Sequence, residues 1–158
     1  MKRFLKILPL IVLGATSGAA SDQDTALRLS HEALSGFWEI AETKNPQFPM
    51  KAIKNSTEGC AAIEFVIEPD GSTSHLHPLA AFPSGVFIKP SMKALKNWRF
   101  TPGAENQERQ AVTTYIVFEF NRSDVPSVGA DLPSEACVGD AEAAFQSGDH
   151  FDETRDRR

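Results

Sequence analysis

The sequence predicts an α+β fold in which two strands, a helix and a further strand follow one another in one domain. Residues 61–68 alternate between apolar and polar side chains, which is the period of a half-buried strand. The turn Pro69-Asp70-Gly71 comes next, and Asp-Gly between two strand-like runs is typical of a tight hairpin because Gly accepts positive φ. A helical pattern after Pro90 and a β-branched, aromatic run over 111–120 complete a ββαβ order.

The N-terminus has the three-part pattern of a secretory signal peptide. Basic residues up to Lys6 precede an apolar run over 7–14, and small residues follow as far as Ala20. We therefore expect cleavage near Ala20 and export of residues 21–158. A retained membrane anchor is the alternative, but a span needs about 20 apolar residues and this stretch turns polar at Thr16.

The charge balance argues against two classes of partner. The exported chain would lose three basic and no acidic residues, leaving 13 basic against 21 acidic residues and a net charge of −8. Nucleic acid and anionic membrane surfaces both attract the opposite sign. The remaining length suits a single domain with flanking segments.

Two cysteines, Cys60 and Cys137, occur in a chain that we expect to enter an oxidising compartment. We predict a disulfide between them, since exported proteins favour disulfides over free thiols. Two free buried thiols are the alternative.

A helix is expected ahead of the domain, over Asp22–Thr43 within the segment 21–44. Its apolar residues recur at helical spacing: Leu27, Leu34, Phe37, Trp38 and Ala41. This stripe suits docking on the following domain, and docking on a partner is the alternative. Asn45, Pro46 and Pro49 end the helix and mark the boundary of a domain over 45–121.

The later elements follow from local pattern. The second strand is expected over 72–80, and because Pro78 lacks a donor it either ends near that residue or lies at a sheet edge. The main helix runs from Pro90 to Asn97 with its apolar stripe on the sheet, and the last strand over 111–120 has one face for the core and one for solvent. Residues 122–158 form a charged, partly disordered tail with a short helix at 135–145.

Three stretches together carry a family resemblance. They are Pro46-Gln47-Phe48-Pro49 with Ala52, the strand from Gly59 to the Asp70-Gly71 turn, and the run from Met92 through Trp98-Arg99-Phe100 to Pro102. In this order and spacing they resemble the C-terminal domain of the TonB family of periplasmic energy transducers. The resemblance covers about residues 45–120 and implies a three-stranded antiparallel sheet with one main helix packed across it.

The resemblance also implies a function. In TonB-like transducers the last strand offers an open edge to an extended segment of an outer-membrane receptor. The backbone hydrogen bonds of the added strand then transmit the pulling force. In this chain the partner-binding residues would be Val112, Thr113, Thr114, Tyr115, Ile116, Val117 and Phe118. The expected partner is an extended peptide of an outer-membrane receptor or another envelope protein in the periplasm. A homodimer by strand pairing is an alternative occupant, and the N-terminal helix or the tail could also cover the edge.

We expect the chain to differ from a full transducer in two ways. We expect no uncleaved anchor and no long Pro-rich spacer. The sequence therefore leaves open whether this chain alone transmits force.

No sequence motif points to catalysis or to a cofactor, so we expect neither. His75 and His77 share a strand face, but a structural metal site normally needs four ligands, so no metal is expected. A small secreted ligand- or metal-binding protein built around these histidines is the alternative function. Glu64 and Glu68 are expected in solvent, opposite the core face of their strand.

Four residues near the helix and the boundary are assigned structural roles. Trp98 and Phe100 are expected in the core, and Phe48 against the end of the sheet. Arg99 is expected to orient the turn after the helix.

Overall fold

A central four-stranded sheet with a helix on each face organises the domain. The computed structural model describes residues 26–83, 85–121 and 133–151. Their elements, in chain order, are β1 (Leu27–Arg28), β2 (Trp38–Glu42), α1 (Met50–Lys54), β3 (Gly59–Ile67), β4 (Thr73–Phe82), α2 (Ile88–Leu95), β5 (Arg99–Pro102), β6 (Val112–Phe120) and α3 (Pro133–Ser147). The central sheet has the order β1-β6-β3-β4, and β2 pairs with β5 in a separate two-stranded sheet.

The predicted α+β class is confirmed, while the three-stranded sheet is wrong. The strands predicted over 61–68, 72–80 and 111–120 are present as β3, β4 and β6, and β3 pairs antiparallel with both β4 and β6. The fourth strand is β1, which pairs parallel to β6 through Leu27 and Arg28. The expected signal peptide lies outside the described residues, as do residues 122–132 and 152–158 of the expected tail.

The β3–β4 hairpin closes as predicted at Asp70-Gly71. Gly71 has φ of 79°, which residues other than glycine rarely adopt. A Cβ at this position would also lie 2.0 Å from the Phe100 carbonyl oxygen, so both the backbone and the space require glycine. The amide of Gly71 donates to the Glu68 carbonyl, and that of Glu68 to the Ser72 carbonyl. Hydrogen bonds from Ser72 also hold the pKa of Asp70 below its usual value. Pro78 lies on β4, an edge strand, where its missing donor breaks no internal pairing.

The main core lies between the sheet and α2. One face of β3 buries Ile63, Phe65 and Ile67, and α2 places Leu95 against them. The predicted core residues Trp98 and Phe100 are both buried. Phe48 packs its ring against those of Phe87 and Phe120, with ring centroids 5.8 and 5.6 Å apart. Arg99 follows the helix, and its guanidinium donates to the Trp98 carbonyl at 2.7 Å.

The predicted helix over Asp22–Thr43 is wrong for the described residues from 26 onward. The chain forms β1, a series of turns over 31–37 and then β2. Gly36 at φ of 87° sits in those turns, a conformation that a helix does not contain. Of the predicted apolar stripe, Leu34 and Trp38 are buried in the main core, whereas Leu27 and Ala41 are exposed. The Trp38 indole donates to the Gln110 carbonyl at 3.1 Å.

The second face of the sheet is covered, whereas the sequence predicted a solvated one. The helix expected at 135–145 is present as α3, and it packs on this face. Ala141 and Phe145 of α3 bury Ala62, Leu79 and Tyr115. The predicted disulfide between Cys60 and Cys137 is present, with a Cα–Cα distance of 6.3 Å. It therefore fixes α3 to β3.

In the part of the chain that the structure describes, no helix has the length and apolarity needed to cross a bilayer.

Candidate functional site

The outer edge of β6, on the side away from β3, is only partly paired. The Leu27 amide donates to the Ala111 carbonyl at 3.2 Å, and the Leu29 amide donates to the Thr113 carbonyl at 3.0 Å. Backbone groups of alternate residues point to the same side of a strand, and the register of β6 on β3 runs without a shift from Val112 to Phe120. The same side therefore receives the N–H and C=O groups of Tyr115, Val117 and Glu119. Among the described elements, no strand pairs with β6 on this side beyond Thr113.

This unpaired stretch forms one wall of an open groove of about 580 Å³. Tyr115, Ile116 and Val117 line the groove from β6. The chain leaving β1 supplies a second side at residues 30–32, and α3 supplies a third through Val138 and Glu142. Val138 is 47% exposed, which leaves an apolar side chain available beside the unpaired backbone. The groove thus combines strand hydrogen-bonding groups with an apolar contact.

Two carboxylates set the electrostatics of the groove. The Tyr115 hydroxyl donates a hydrogen bond to Glu142. Burial, this hydrogen bond and the nearby charges of Glu142 and Glu32 raise the pKa of Tyr115 to about 12. Hydrogen bonds from Tyr115 and Gln146 in turn hold the pKa of the Glu142 carboxyl below its usual value. Glu142 is therefore ionised at neutral pH, and the groove is anionic.

The short strand β1 is held at the edge by its arginine. The Arg28 guanidinium lies 2.7 Å from the buried Glu64 carboxylate and donates to the Phe145 carbonyl at 2.6 Å. Its Cζ also lies 4.3 Å from the centre of the Phe145 ring. The prediction that Glu64 lies in solvent is wrong, because Glu64 is 5% exposed beneath β1 and α3. Its second partner is His150, at 3.3 Å.

The predicted partner-binding residues of β6 fall into three groups. Val112, Thr114 and Phe118 point into the main core and are buried. Thr113 and Tyr115 are also buried, with Tyr115 under α3. Ile116 and Val117 are half-buried in the groove. Contact with a partner would therefore run through the backbone of this strand more than through its side chains.

The two histidines of the alternative hypothesis take different partners. His75 has φ of 49° and adjoins a register shift between β3 and β4, which interrupts the alternation that would align it with His77. The His75 ring bonds to the Ser74 hydroxyl, and the His77 ring stacks on that of His150 at 4.6 Å. In the described ranges no group of three or more His, Cys, Asp or Glu side chains is arranged to hold a metal ion.

Sequence reasoning missed the two walls of the groove. The first, at residues 30–32, lay inside the wrongly predicted helix, and Gly36 was the available signal against that helix. The second, α3, was predicted as a short helix that a Cys60–Cys137 bridge would attach to the first strand, and the bridge is present. Its packing across the face of the sheet beside β6 was not predicted.

Comparison with known proteins identifies relatives for the middle of the chain. The family model of the Gram-negative bacterial TonB protein C-terminal matches residues 44–121. Protein TonB of Escherichia coli (strain K12) is 29% identical over 76 residues, which are 48% of this chain and 30% of that protein. Protein TonB of Klebsiella pneumoniae is 28% identical over 107 residues, which are 68% of this chain and 42% of that protein. The chain therefore spans less than half the length of these relatives.

The fold also has a solved counterpart. The solution NMR structure of the Pseudomonas aeruginosa TonB CTD superimposes with a TM-score of 0.54 at 23% identity, covering 61% of this chain and 96% of that one. The residues matched by the family model contain α1, β3, β4, α2, β5 and β6, whereas β1, β2 and α3 lie outside them. Both added walls of the groove therefore belong to segments beyond the matched region.

Proposed function

Because residues 44–121 belong to the family of TonB C-terminal domains, we propose that this chain is a non-enzymatic periplasmic module that binds an extended peptide by strand addition to β6. The partner is a segment of an outer-membrane receptor or of another envelope protein, in the setting of TonB-dependent transport. The observation that carries the proposal is the outer edge of β6 from Tyr115 to Glu119, which pairs with no strand among the described residues and lines the groove at Tyr115, Ile116 and Val117.

The physical basis is the unsatisfied hydrogen-bonding capacity of this edge. An edge strand offers a row of free N–H and C=O groups to any extended chain. The partner-binding stretch is narrower than the whole of Val112–Phe118, because β1 already pairs with β6 at Val112 and Thr113. The added strand would use the outward groups of Tyr115, Val117 and Glu119.

The edge strand is held by pairing on one side and by packing on both faces. β6 pairs with β3 along its whole length, and its side chains are packed from both faces by the main core and by α3. A preorganised edge loses little conformational entropy on binding, so most of the ordering cost falls on the peptide.

A backbone test separates strand addition from side-chain recognition. Val117→Pro removes an N–H that points away from β3, so the sheet loses no internal bond while a partner loses one. Val117→Ala is the matched control, since it trims the side chain and keeps the N–H. Synthetic peptides from the periplasm-facing N-terminal segments of outer-membrane receptors serve as probes in calorimetric titrations.

We expect Val117→Pro to weaken binding about tenfold or more and Val117→Ala to change it much less, with both variants retaining the circular dichroism of the folded protein. Equal binding by the two variants would contradict strand addition.

A further inference from the structure

We propose that the groove beside β6 selects a basic extended segment, one with a Lys or Arg side chain among β-branched residues. This inference rests on the proposed function and names the chemistry of its partner. It arises from the walls that the segments outside residues 44–121 add to the edge.

Backbone pairing alone cannot supply the affinity. Each strand hydrogen bond contributes little net free energy, because it replaces hydrogen bonds to water. Ordering an extended peptide and removing its translational freedom carries a free-energy cost. The few bonds available at Tyr115, Val117 and Glu119 roughly offset that cost, so recognition depends on side-chain contacts with the walls of the groove.

The walls are acidic around an apolar contact. Glu32 and Glu142 both line the groove, and Val138 of α3 is an exposed apolar residue of the same lining. Glu119 is exposed further along the same strand. Among the described residues that line the groove, His31 is the only one with a basic nitrogen, and Arg28 is paired with Glu64.

The partner strand would alternate its side chains between the two sides of the sheet. Those on the α3 side would meet Val138 and Glu142, where an aliphatic stem with a cationic head satisfies both. A β-branched residue suits the remaining positions because it fits an extended backbone.

The same charges disfavour a second copy of this chain as the occupant. Antiparallel pairing of two β6 edges around Val117 would oppose Tyr115 of one copy and Glu119 of the other. Glu119 would then approach the Glu142 that accepts the Tyr115 hydrogen bond. Two such pairs of like charges arise by symmetry, and each destabilises the dimer.

The test uses one host peptide of alternating valine and threonine whose central residue is Lys, Gln or Glu. Binding to the disulfide-bonded protein is measured by fluorescence anisotropy at low and high salt. The groove variants are Glu142→Gln and Glu32→Gln, and the matched control is Glu39→Gln, an exposed glutamate on β2.

We expect the Lys peptide to bind about three- to tenfold more tightly than the Gln peptide and the Glu peptide to bind more weakly still. The preference should shrink at high salt and in the two groove variants, and persist in Glu39→Gln. Equal binding of all three peptides would overturn the charge selection and leave strand addition standing. Binding of none of them would overturn both, and a concentration-dependent dimer in sedimentation would assign the edge to a second copy.

Discussion

The Arg28 guanidinium lies 2.7 Å from the carboxylate of Glu64, a buried group on the central strand of the sheet. This ion pair is the main side-chain attachment of β1, which contributes only two residues to the sheet. It positions the end of β1 and therefore the point on β6 at which the unpaired edge begins.

Removal of the arginine should destabilise the fold. Arg28→Ala leaves the Glu64 carboxylate buried with His150 as its remaining partner. We expect a loss of about 1–2 kcal/mol in the free energy of unfolding, reduced from the value for a fully buried pair because Arg28 is 44% exposed. Urea titration of Arg28→Ala, Glu64→Gln and the double variant forms a cycle. The double variant should lose less than the two single losses combined, and strict additivity would contradict the pairing.

The disulfide should govern the position of α3. Cys60 and Cys137 are 77 residues apart, and closing a loop of that length stabilises the fold by about 4 kcal/mol. We expect Cys137→Ser and the reduced wild-type protein to lose a similar amount in denaturant titrations. The variant itself should not respond to reductant. Wild-type protein of equal stability with and without reductant would show that α3 docks without the bridge.

Tyr115 offers a direct measurement of the groove electrostatics. It is the only tyrosine in the chain, so the absorbance of tyrosinate reports it alone. We expect a midpoint near the pKa of about 12, and a lower one in Glu142→Gln, where the neighbouring charge is absent. A midpoint at the ordinary value of 10 in the wild-type protein would contradict the buried contact with Glu142.

The raised pKa of Tyr115 also predicts that the folded protein loses stability at alkaline pH. The folded pKa of Tyr115 is raised above its ordinary value of 10. Between about pH 10 and 12 the unfolded phenol ionises while the folded one stays protonated. The contribution of Tyr115 is therefore complete below pH 10 and is lost as the pH rises to about 12. Thermal melts of the wild type and Tyr115→Phe should converge over that interval, and parallel pH profiles would contradict the shift.

Gly71 in the hairpin turn has a control in Gly139 of α3. Gly71→Ala must place a Cβ 2.0 Å from the Phe100 carbonyl oxygen at positive φ, so we expect a loss of about 2–3 kcal/mol. Gly139→Ala lies in α3 with no heavy atom within 4 Å of the new Cβ, and should stabilise by about 0.5–1 kcal/mol. Thermal melts of both variants give the comparison. Equal effects of the two substitutions would contradict the turn geometry.

The elements that sequence reasoning recovered are those with a strong local pattern. The alternation before Asp70-Gly71 specified β3 and its hairpin, and the aromatic run after residue 110 specified β6. The spacing of Leu95 and Trp98 placed α2 on the sheet. Each of these signals lies within about a dozen residues, where side-chain periodicity reports the buried face directly.

The elements that it missed depend on distant contacts. β1 is too short for a periodic pattern, and its pairing joins Leu27 to Val112 across most of the domain. The burial of Glu64 depends on Arg28 and α3, neither of which is near it in the chain. Sequence alternation placed Glu64 on the correct face of β3, but could not show that α3 covers that face.

The proposed binding stretch of β6 is shorter at its start than the one expected from the sequence, because β1 pairs with β6 there. The family resemblance offered the whole of Val112–Phe118 as a binding strand, whereas β1 occupies the first part of that edge. In the part of the chain that the structure describes, the stretch of β6 with no strand on its outer side runs from Tyr115 to Glu119.

Amide hydrogen exchange along β6, read residue by residue with NMR, tests strand addition most directly. In the free protein we expect fast exchange at Tyr115, Val117 and Glu119, whose N–H groups point outward. The alternate amides of residues 114, 116 and 118 face β3 and serve as slowly exchanging internal controls. A bound receptor peptide should slow the three outward amides and leave the controls unchanged. Outward amides that are already protected in the free protein, or that remain fast with peptide bound, would contradict the account.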